Sequence, residues 1–127
     1  MDTVQRALAA VNDRDVDGYL SCCTNDVVLS TPAEGVTGLY QGADGIRRFF
    51  DDLAETGPDF HLAVERLEAV DADRVLAFLR VTATGRTSGV PTEAVTGNIY
   101  DFAQGKLERI RIFLDRDHAL EAAGLSE

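Results

Sequence analysis

Several residue types that mark particular classes of protein are scarce in this chain of 127 residues. It has no tryptophan, three prolines and two cysteines, and its 12 lysines and arginines are outnumbered by 22 aspartates and glutamates. The formal charge of −10 opposes binding to nucleic acid and to anionic membrane surfaces. Long apolar runs are also missing, so we expect neither a membrane-spanning helix nor a secretory signal, and we predict a cytoplasmic protein.

The cysteines and histidines do not form a recognisable metal site. Cys22 and Cys23 are adjacent, which suits neither an ordinary disulfide nor a metal-binding pair, and we interpret them as reduced packing residues. No group of His, Cys, Asp and Glu has metal-site spacing, and there is no phosphate-binding glycine loop and no nucleophile elbow. The sequence therefore implies no metal and no cofactor.

Hydrophobic residues make up 45% of the chain and recur first at helical and then at strand spacing. The first part predicts two helices that meet near Asp15, a short strand over Val27–Ser30 and a third helix from Asp44. Long alternating segments then predict an antiparallel meander and a short last helix: Phe60–Val70, Arg74–Thr84, Thr92–Phe102, Lys106–Leu114 and Asp117–Ala123. Helices followed by a meander indicate one α+β domain over residues 1–127.

Two features of the predicted sheet concern its shape and its faces. The alternation slips between Val64 and Leu67, which predicts a β-bulge and a strongly curved sheet. The next strand is apolar from Val75 to Leu79, which predicts burial on both faces. We assign Leu76 and Phe78 to the face under the helices, which leaves an apolar patch on the convex face: Val75, Ala77, Leu79, Val81, Ile99 and Phe113. Such a patch predicts a homodimer through the convex face.

The chain resembles a known superfamily in several segments and in the order of its elements. The segments are Val11–Gly18, Asn25-Asp26 ahead of Pro32, Tyr40-Gln41-Gly42, Leu62–Glu65 and Ile110–Asp115. They resemble the SnoaL-like and ketosteroid isomerase-like branch of the nuclear transport factor two-like superfamily. The resemblance implies a cystatin-like cone, in which a curved antiparallel sheet wraps around the N-terminal helices and encloses a small-molecule pocket.

The resemblance allows the catalytic positions of the superfamily to be compared one at a time. Steroid isomerases of this fold use a carboxylate base, a tyrosine and a protonated aspartate, and the matching positions here are Thr31, Ala7 and Asn98. Limonene-epoxide hydrolases use an arginine and an aspartate two residues apart, which here are Arg80 and Thr82. Since the base and the phenol are replaced, we predict that the protein does not isomerise ketosteroids.

Strand alternation and the resemblance together predict the residues that bind a ligand inside the cone. They are Arg80, Asn98, Tyr100, Thr82, Thr31, Phe78, Phe50 and Tyr40. Arg80 either contacts a ligand oxygen or pairs with a carboxylate such as Asp26. Asn98 either contacts the ligand or satisfies backbone groups. Apolar walls with sparse polar groups are typical of a small-molecule pocket.

Two classes of function fit these features. The first is a small-molecule-binding protein of SnoaL-like type that acts as an isomerase, cyclase or hydrolase on a cyclic or aromatic metabolite. The second is a non-catalytic dimeric ligand-binding or interaction module. An inward-facing carboxylate would separate them, and the alternation pattern identifies none, so no catalytic residue is assigned. Both predict a small apolar or aromatic ligand.

Overall fold

The computed structural model describes residues 2–30, 39–54, 61–84, 91–113, 116–122 and 124. These ranges contain helices α1 (Asp2–Asp13), α2 (Val16–Ser21), α3 (Gly42–Ala54) and α4 (Arg116–Ala122), and strands β1 (Cys23–Ser30), β2 (Leu39–Gln41), β3 (His61–Asp71), β4 (Arg74–Thr84), β5 (Pro91–Ala103) and β6 (Lys106–Phe113). The predicted positions Thr31, Phe60 and Leu114 lie outside the described ranges. Within them, no helix has the length and apolarity to cross a membrane.

The first two helices form for the reasons that the sequence indicates. Val4, Leu8 and Val11 recur at one face of α1 and are buried, as expected for an amphipathic helix that packs on a core. Asp15 is the N-cap of α2, and its side chain accepts a hydrogen bond of 3.0 Å from the backbone N–H of Gly18. The predicted boundary between these helices is confirmed.

The six strands form one curved sheet in the order β2-β1-β6-β5-β4-β3. Strands β3 to β6 are the predicted antiparallel meander, and the predicted bulge is confirmed by a register shift between Val64 and Arg66. β1, however, pairs with β6 in parallel, so the expectation of a wholly antiparallel sheet is wrong at this pair. A parallel pair requires a long crossover, and the chain between β1 and β6 supplies it.

The prediction of which face β4 turns toward the helices is wrong. Val75, Ala77 and Leu79 are buried in the same cluster as α1, α2 and α3, whereas Leu76 and Phe78 are buried with residues of α4. The apolar run gives no alternation to choose between the faces, and the register with β5, which pairs Ala77 with Asn98, decides it. We call the face under α1–α3 the concave face and the face under α4 the convex face.

Helix α4 covers the apolar part of the convex face. Its residues Ala119 and Leu120 pack with Leu76, Phe78 and Ile99, and Phe113 lies beside them. The expectation that helices cover only one face of the sheet is therefore wrong. Of the six residues predicted to form an apolar dimer patch, four lie on the concave face. The homodimer itself stays a prediction, but this patch no longer supports it.

Candidate functional site

The described residues line a partly open cavity of about 180 Å³ between the concave face and helices α1, α2 and α3. Ten of the lining residues are apolar: Leu8, Val11, Leu29, Phe49, Leu53, Leu62, Leu79, Val81, Ile110 and Ile112. Four lining residues carry a polar group: Tyr19, Thr96, Asn98 and Tyr100. Apolar walls with a few polar groups that fix orientation are typical of small-molecule sites.

The polar groups of the cavity come mainly from one strand. Thr96, Asn98 and Tyr100 are spaced two apart on β5, so the pleat turns all three toward the helices. Asn98 Nδ2 donates to the Tyr100 hydroxyl oxygen at 3.0 Å, and Thr96 Oγ1 lies 3.5 Å from Asn98 Oδ1. Tyr19 reaches the cavity from α2. These four residues form the polar group of the cavity.

Two hydroxyl protons of this polar group remain available to a ligand. The Tyr100 oxygen accepts from Asn98, so its own proton is free to be donated elsewhere. None of the hydrogen bonds among the described residues involves the hydroxyl of Tyr19, which lines the cavity although Tyr19 is only 3% exposed. A buried tyrosine hydroxyl normally has a partner. The cavity thus presents two phenol donors to whatever occupies it.

Burial holds both phenols in the neutral form. Desolvation raises the pKa of Tyr100 to about 12, although the hydrogen bond from Asn98 acts in the opposite direction. Desolvation also raises the pKa of Tyr19 well above 10, and the nearby Tyr100 adds to the effect. A neutral phenol is a hydrogen-bond donor, whereas a phenolate is not. Both groups therefore keep their donor role throughout the physiological pH range.

The tyrosines of the folded protein should ionise at a higher pH than free tyrosine does. The third tyrosine, Tyr40, also has a raised pKa, because it donates a hydrogen bond to Asp52. Unfolded chains lose these protons near pH ~10, so the unfolded state binds fewer protons above that pH. The resulting stabilisation is complete below about pH 10 and is lost as the pH rises toward about 12.

A pH titration of phenolate formation, followed by near-ultraviolet absorbance, measures this rise in pKa. The absence of tryptophan keeps the spectrum simple. We expect phenolate to appear together with the loss of helical circular dichroism. Two tyrosines that titrate near pH ~10 in the folded protein would contradict the burial of Tyr19 and Tyr100, since Tyr40 could account for only one of them.

Specific contacts fix the helices over the cavity. The Asn12 side chain on α1 donates to the Leu62 carbonyl at 2.9 Å and accepts from the Leu62 N–H at 2.8 Å. This pair of hydrogen bonds joins α1 to the edge strand β3. On the other side, the Tyr19 ring packs edge-on against Phe50 at 5.4 Å, which orients the Tyr19 side chain.

Arg80 and Thr82 lie on the convex face and not in the cavity. The Arg80 guanidinium forms ion pairs with Glu65 and Glu93, and its side chain is 40% exposed. These carboxylates raise the pKa of Arg80, the hydrogen bond to Glu65 most of all. The predicted inward orientation of both residues is wrong, because it followed from the wrong face of β4. The alternative of an internal pairing is closer to the structure, although Asp26 is not the partner.

The other predicted ligand-binding residues divide into three groups. Asn98 and Tyr100 line the cavity as expected, and their role in binding stays a prediction. Phe78 is buried beneath α4 on the convex face. Phe50 and Tyr40 pack in the core on either side of Phe49, and neither lines the cavity. Thr31 lies outside the described residues.

Two polar residues of the cavity, Tyr19 and Thr96, are not among the predicted ligand-binding residues. Tyr19 falls at an apolar position of α2, where the helical pattern accounts for it as packing. Thr96 has the same parity as Asn98 and Tyr100, and that alternation is a signal that would have found it. Among the described residues, no group of three or more His, Cys, Asp and Glu side chains can hold a metal ion.

Comparison with known proteins identifies the family. No curated protein matches the sequence. A solved structure of TerC co-crystallised with polyporic acid has 22% identity and a TM-score of 0.79, and covers 97% of this chain and 96% of its own. An uncharacterised cystatin-fold protein from Novosphingobium aromaticivorans has 24% identity and a TM-score of 0.74, covering 88% of this chain and 95% of its own.

A third structure, Rv0760c from Mycobacterium tuberculosis in complex with estradiol-17β-hemisuccinate, has 19% identity and a TM-score of 0.75, covering 91% of this chain and 92% of its own. Other similar structures are described as ketosteroid isomerase-like in fold and as NTF2-like. At these identities the likeness establishes the cystatin-like α+β fold. The family model for the SnoaL-like domain matches residues 4–110, and the chain belongs to that family.

Proposed function

We propose that this protein binds a small, uncharged ring compound that carries an oxygen atom, with the ring in the apolar part of the cavity and the oxygen at its polar group. The observation that carries the proposal is the pairing of an apolar cavity with two phenol donors whose protons have no acceptor among the described residues. An oxygen acceptor placed there would satisfy both donors.

The size of the cavity limits the ligand. A dry protein cavity of about 150 Å³ holds one benzene molecule, and this cavity is about 180 Å³. A compound of one or two rings is therefore the best fit. Its apolar surface would be removed from water, which stabilises binding by roughly 25 cal/mol per Å² before the entropy of association is subtracted.

The charge of the ligand follows from the lining. None of the described residues that line the cavity is Asp, Glu, Lys, Arg or His. An ion transferred into such an environment without a partner loses its hydration without compensation. The ligand is therefore neutral at the end that enters the cavity. Two similar proteins, TerC and Rv0760c, are crystallised with polyporic acid and estradiol-17β-hemisuccinate, which supports small-molecule binding by this fold.

The same lining favours binding over proton transfer. General base catalysis needs a group within hydrogen-bond reach of the proton that it abstracts, and the described lining contains no carboxylate or imidazole. At the positions that match the steroid isomerases, Ala7 is a core residue, while Asn98 is an amide bonded to Tyr100. Polarisation of a carbonyl by Tyr19 and Tyr100 is the catalytic step that these residues could supply, and it requires a base from elsewhere.

A cavity-blocking substitution tests the proposal. Val81→Phe adds a ring at a lining position of β4, and Val64→Phe makes the same change on β3 at a side chain that is 45% exposed. We expect the two-ring ketone 1-tetralone to raise the melting temperature of the wild type and of Val64→Phe. In Val81→Phe we expect its affinity to fall at least about tenfold, or about 1.4 kcal/mol.

Naphthalene serves as the matched apolar probe. The ketone should bind about five- to tenfold more tightly than naphthalene, because one net hydrogen bond contributes about 1 kcal/mol. Equal affinities for 1-tetralone and naphthalene would show that the polar group of the cavity does not contribute to binding. Equal melting shifts in all three proteins, or no shift from either compound, would contradict the proposed function.

A further inference from the structure

Three arginines lie around one carboxylate on the convex face, away from the cavity, and two of them form ion pairs with it. Arg74, Asp101 and Arg109 are direct register partners on the neighbouring strands β4, β5 and β6. Arg111 follows two residues later on β6, on the same face. Asp101 accepts from Arg74 Nε at 2.8 Å and from Arg111 Nη2 at 3.3 Å. We name these four residues the arginine cluster.

The cluster is positive in a chain whose net charge is −10. The carboxylate of Asp101 pairs with two of the three guanidinium groups, those of Arg74 and Arg111. The exposed Asp71, the register partner of Arg74 on β3, offsets part of the remaining positive charge. Arg109 is exposed and forms no ion pair with any residue in the described ranges. Burial lowers the pKa of Arg111, and repulsion from Arg109 and Arg74 adds to it. An excess of positive charge therefore remains at this point.

The hydrogen-bonding capacity of the cluster is also incompletely used. Arg111 is 17% exposed, and its Nε is buried with no acceptor among the described residues. Its single contact to Asp101 is longer than the usual 2.7–2.9 Å of a charge-assisted bond. Ser30, the register partner of Arg111 on β1, adds a hydroxyl on the same face. The donors at this position exceed the acceptors.

We propose that the arginine cluster binds a small oxyanion, of the phosphate or carboxylate class. The planar forks of the guanidinium groups match two oxygens of such an anion, and the charge of the anion balances the excess positive charge. Arg109 and Arg111 supply the principal contacts, since Arg74 is already occupied by Asp101. This site lies on the face opposite the cavity and does not depend on the function proposed there.

Calorimetric titration with inorganic phosphate at neutral pH and constant ionic strength tests the site. We expect saturable binding of one phosphate per chain to the wild type. Arg109→Gln should weaken it at least about fivefold, and this variant should fold normally because the side chain is exposed. Arg6→Gln changes the net charge equally at an exposed position of α1 and should bind phosphate as the wild type does.

Removing the negative charge of Asp101 distinguishes an anion-binding site from an ion-pair network that serves only the structure. Asp101→Asn frees donors of Arg74 and Arg111, so phosphate should bind the folded variant at least about threefold more tightly. An unsaturable titration of the wild type would overturn the proposal. So would an equal loss of affinity in Arg6→Gln and Arg109→Gln, because net charge alone would then explain the binding.

Discussion

Replacing Phe78 by alanine is expected to lower the free energy of unfolding by about 3–5 kcal/mol, the usual range for a phenylalanine deleted from a packed core. Phe78 is 2% exposed and lies between the sheet and α4, with Leu76, Ile99 and Leu120 around it. The void left by the ring is closed off by α4 and cannot fill by a simple collapse of the sheet. Urea unfolding followed by circular dichroism measures the loss.

The same variant should bind cavity ligands normally. Phe78 lies on the opposite face of β4 from the cavity, so the affinity of the folded protein for 1-tetralone should stay within about twofold of the wild type. Phe49→Ala is the matched control, because Phe49 lines the cavity and its removal should alter ligand affinity. A folded Phe78→Ala protein with near-normal stability and a tenfold loss of affinity would show that the assignment of faces is wrong.

Gly97→Ala is expected to destabilise the protein by about 1–3 kcal/mol, although it adds only one methyl group. A Cβ atom at position 97 would lie 2.4 Å from the Ala119 Cβ of α4, far inside van der Waals contact. Helix and strand must separate to accommodate it, and the packing of α4 over Phe78 is lost in part. Thermal and urea unfolding give the magnitude.

A double-mutant cycle shows whether this contact is the cause. Ala119→Gly alone should cost about 1 kcal/mol of helix stability, and when combined with Gly97→Ala it should restore most of the lost stability. Ala122→Gly, at the last residue of the same helix, also replaces an alanine by glycine but leaves the Ala119 methyl group in place, so it should restore nothing. Additive effects of Gly97→Ala and Ala119→Gly would contradict the close approach.

The elements of this fold follow from local patterns, whereas the faces of the sheet do not. Helices α2 and α3 and the four meander strands are visible because capping residues and periodicity act within a few residues. The third helix begins at Gly42, two residues before the predicted start at Asp44. Val75–Leu79 is apolar at every position, so local alternation carries no information about its orientation. Only the register with β5 and the packing of α4, both long-range contacts, decide that Arg80 faces away from the cavity.

The candidate site divides in the same way. Asn98 and Tyr100 lie on a strand that alternates clearly, and their inward orientation was predictable. Tyr19 was not, since a tyrosine on an apolar helix face is usually core, and its free hydroxyl becomes visible only when the cavity is assembled. The three-residue strand β2 is too short to produce a period, and the parallel pairing of β1 with β6 depends on the path of the whole chain.

That parallel pairing has a consequence for the protein during its synthesis. Leu29 of β1 is paired with Tyr40 of β2 on one side and with Ile110 of β6 on the other. About 80 residues must therefore be added before β1 is joined to the meander, which takes roughly 4–16 s at ordinary elongation rates. Val27 and Leu29, both fully buried in the finished protein, have no partner strand from the meander until then. One edge of β1 therefore stays unpaired in the nascent chain until β6 has been synthesised, and only then can the β1–β2 pair join the meander.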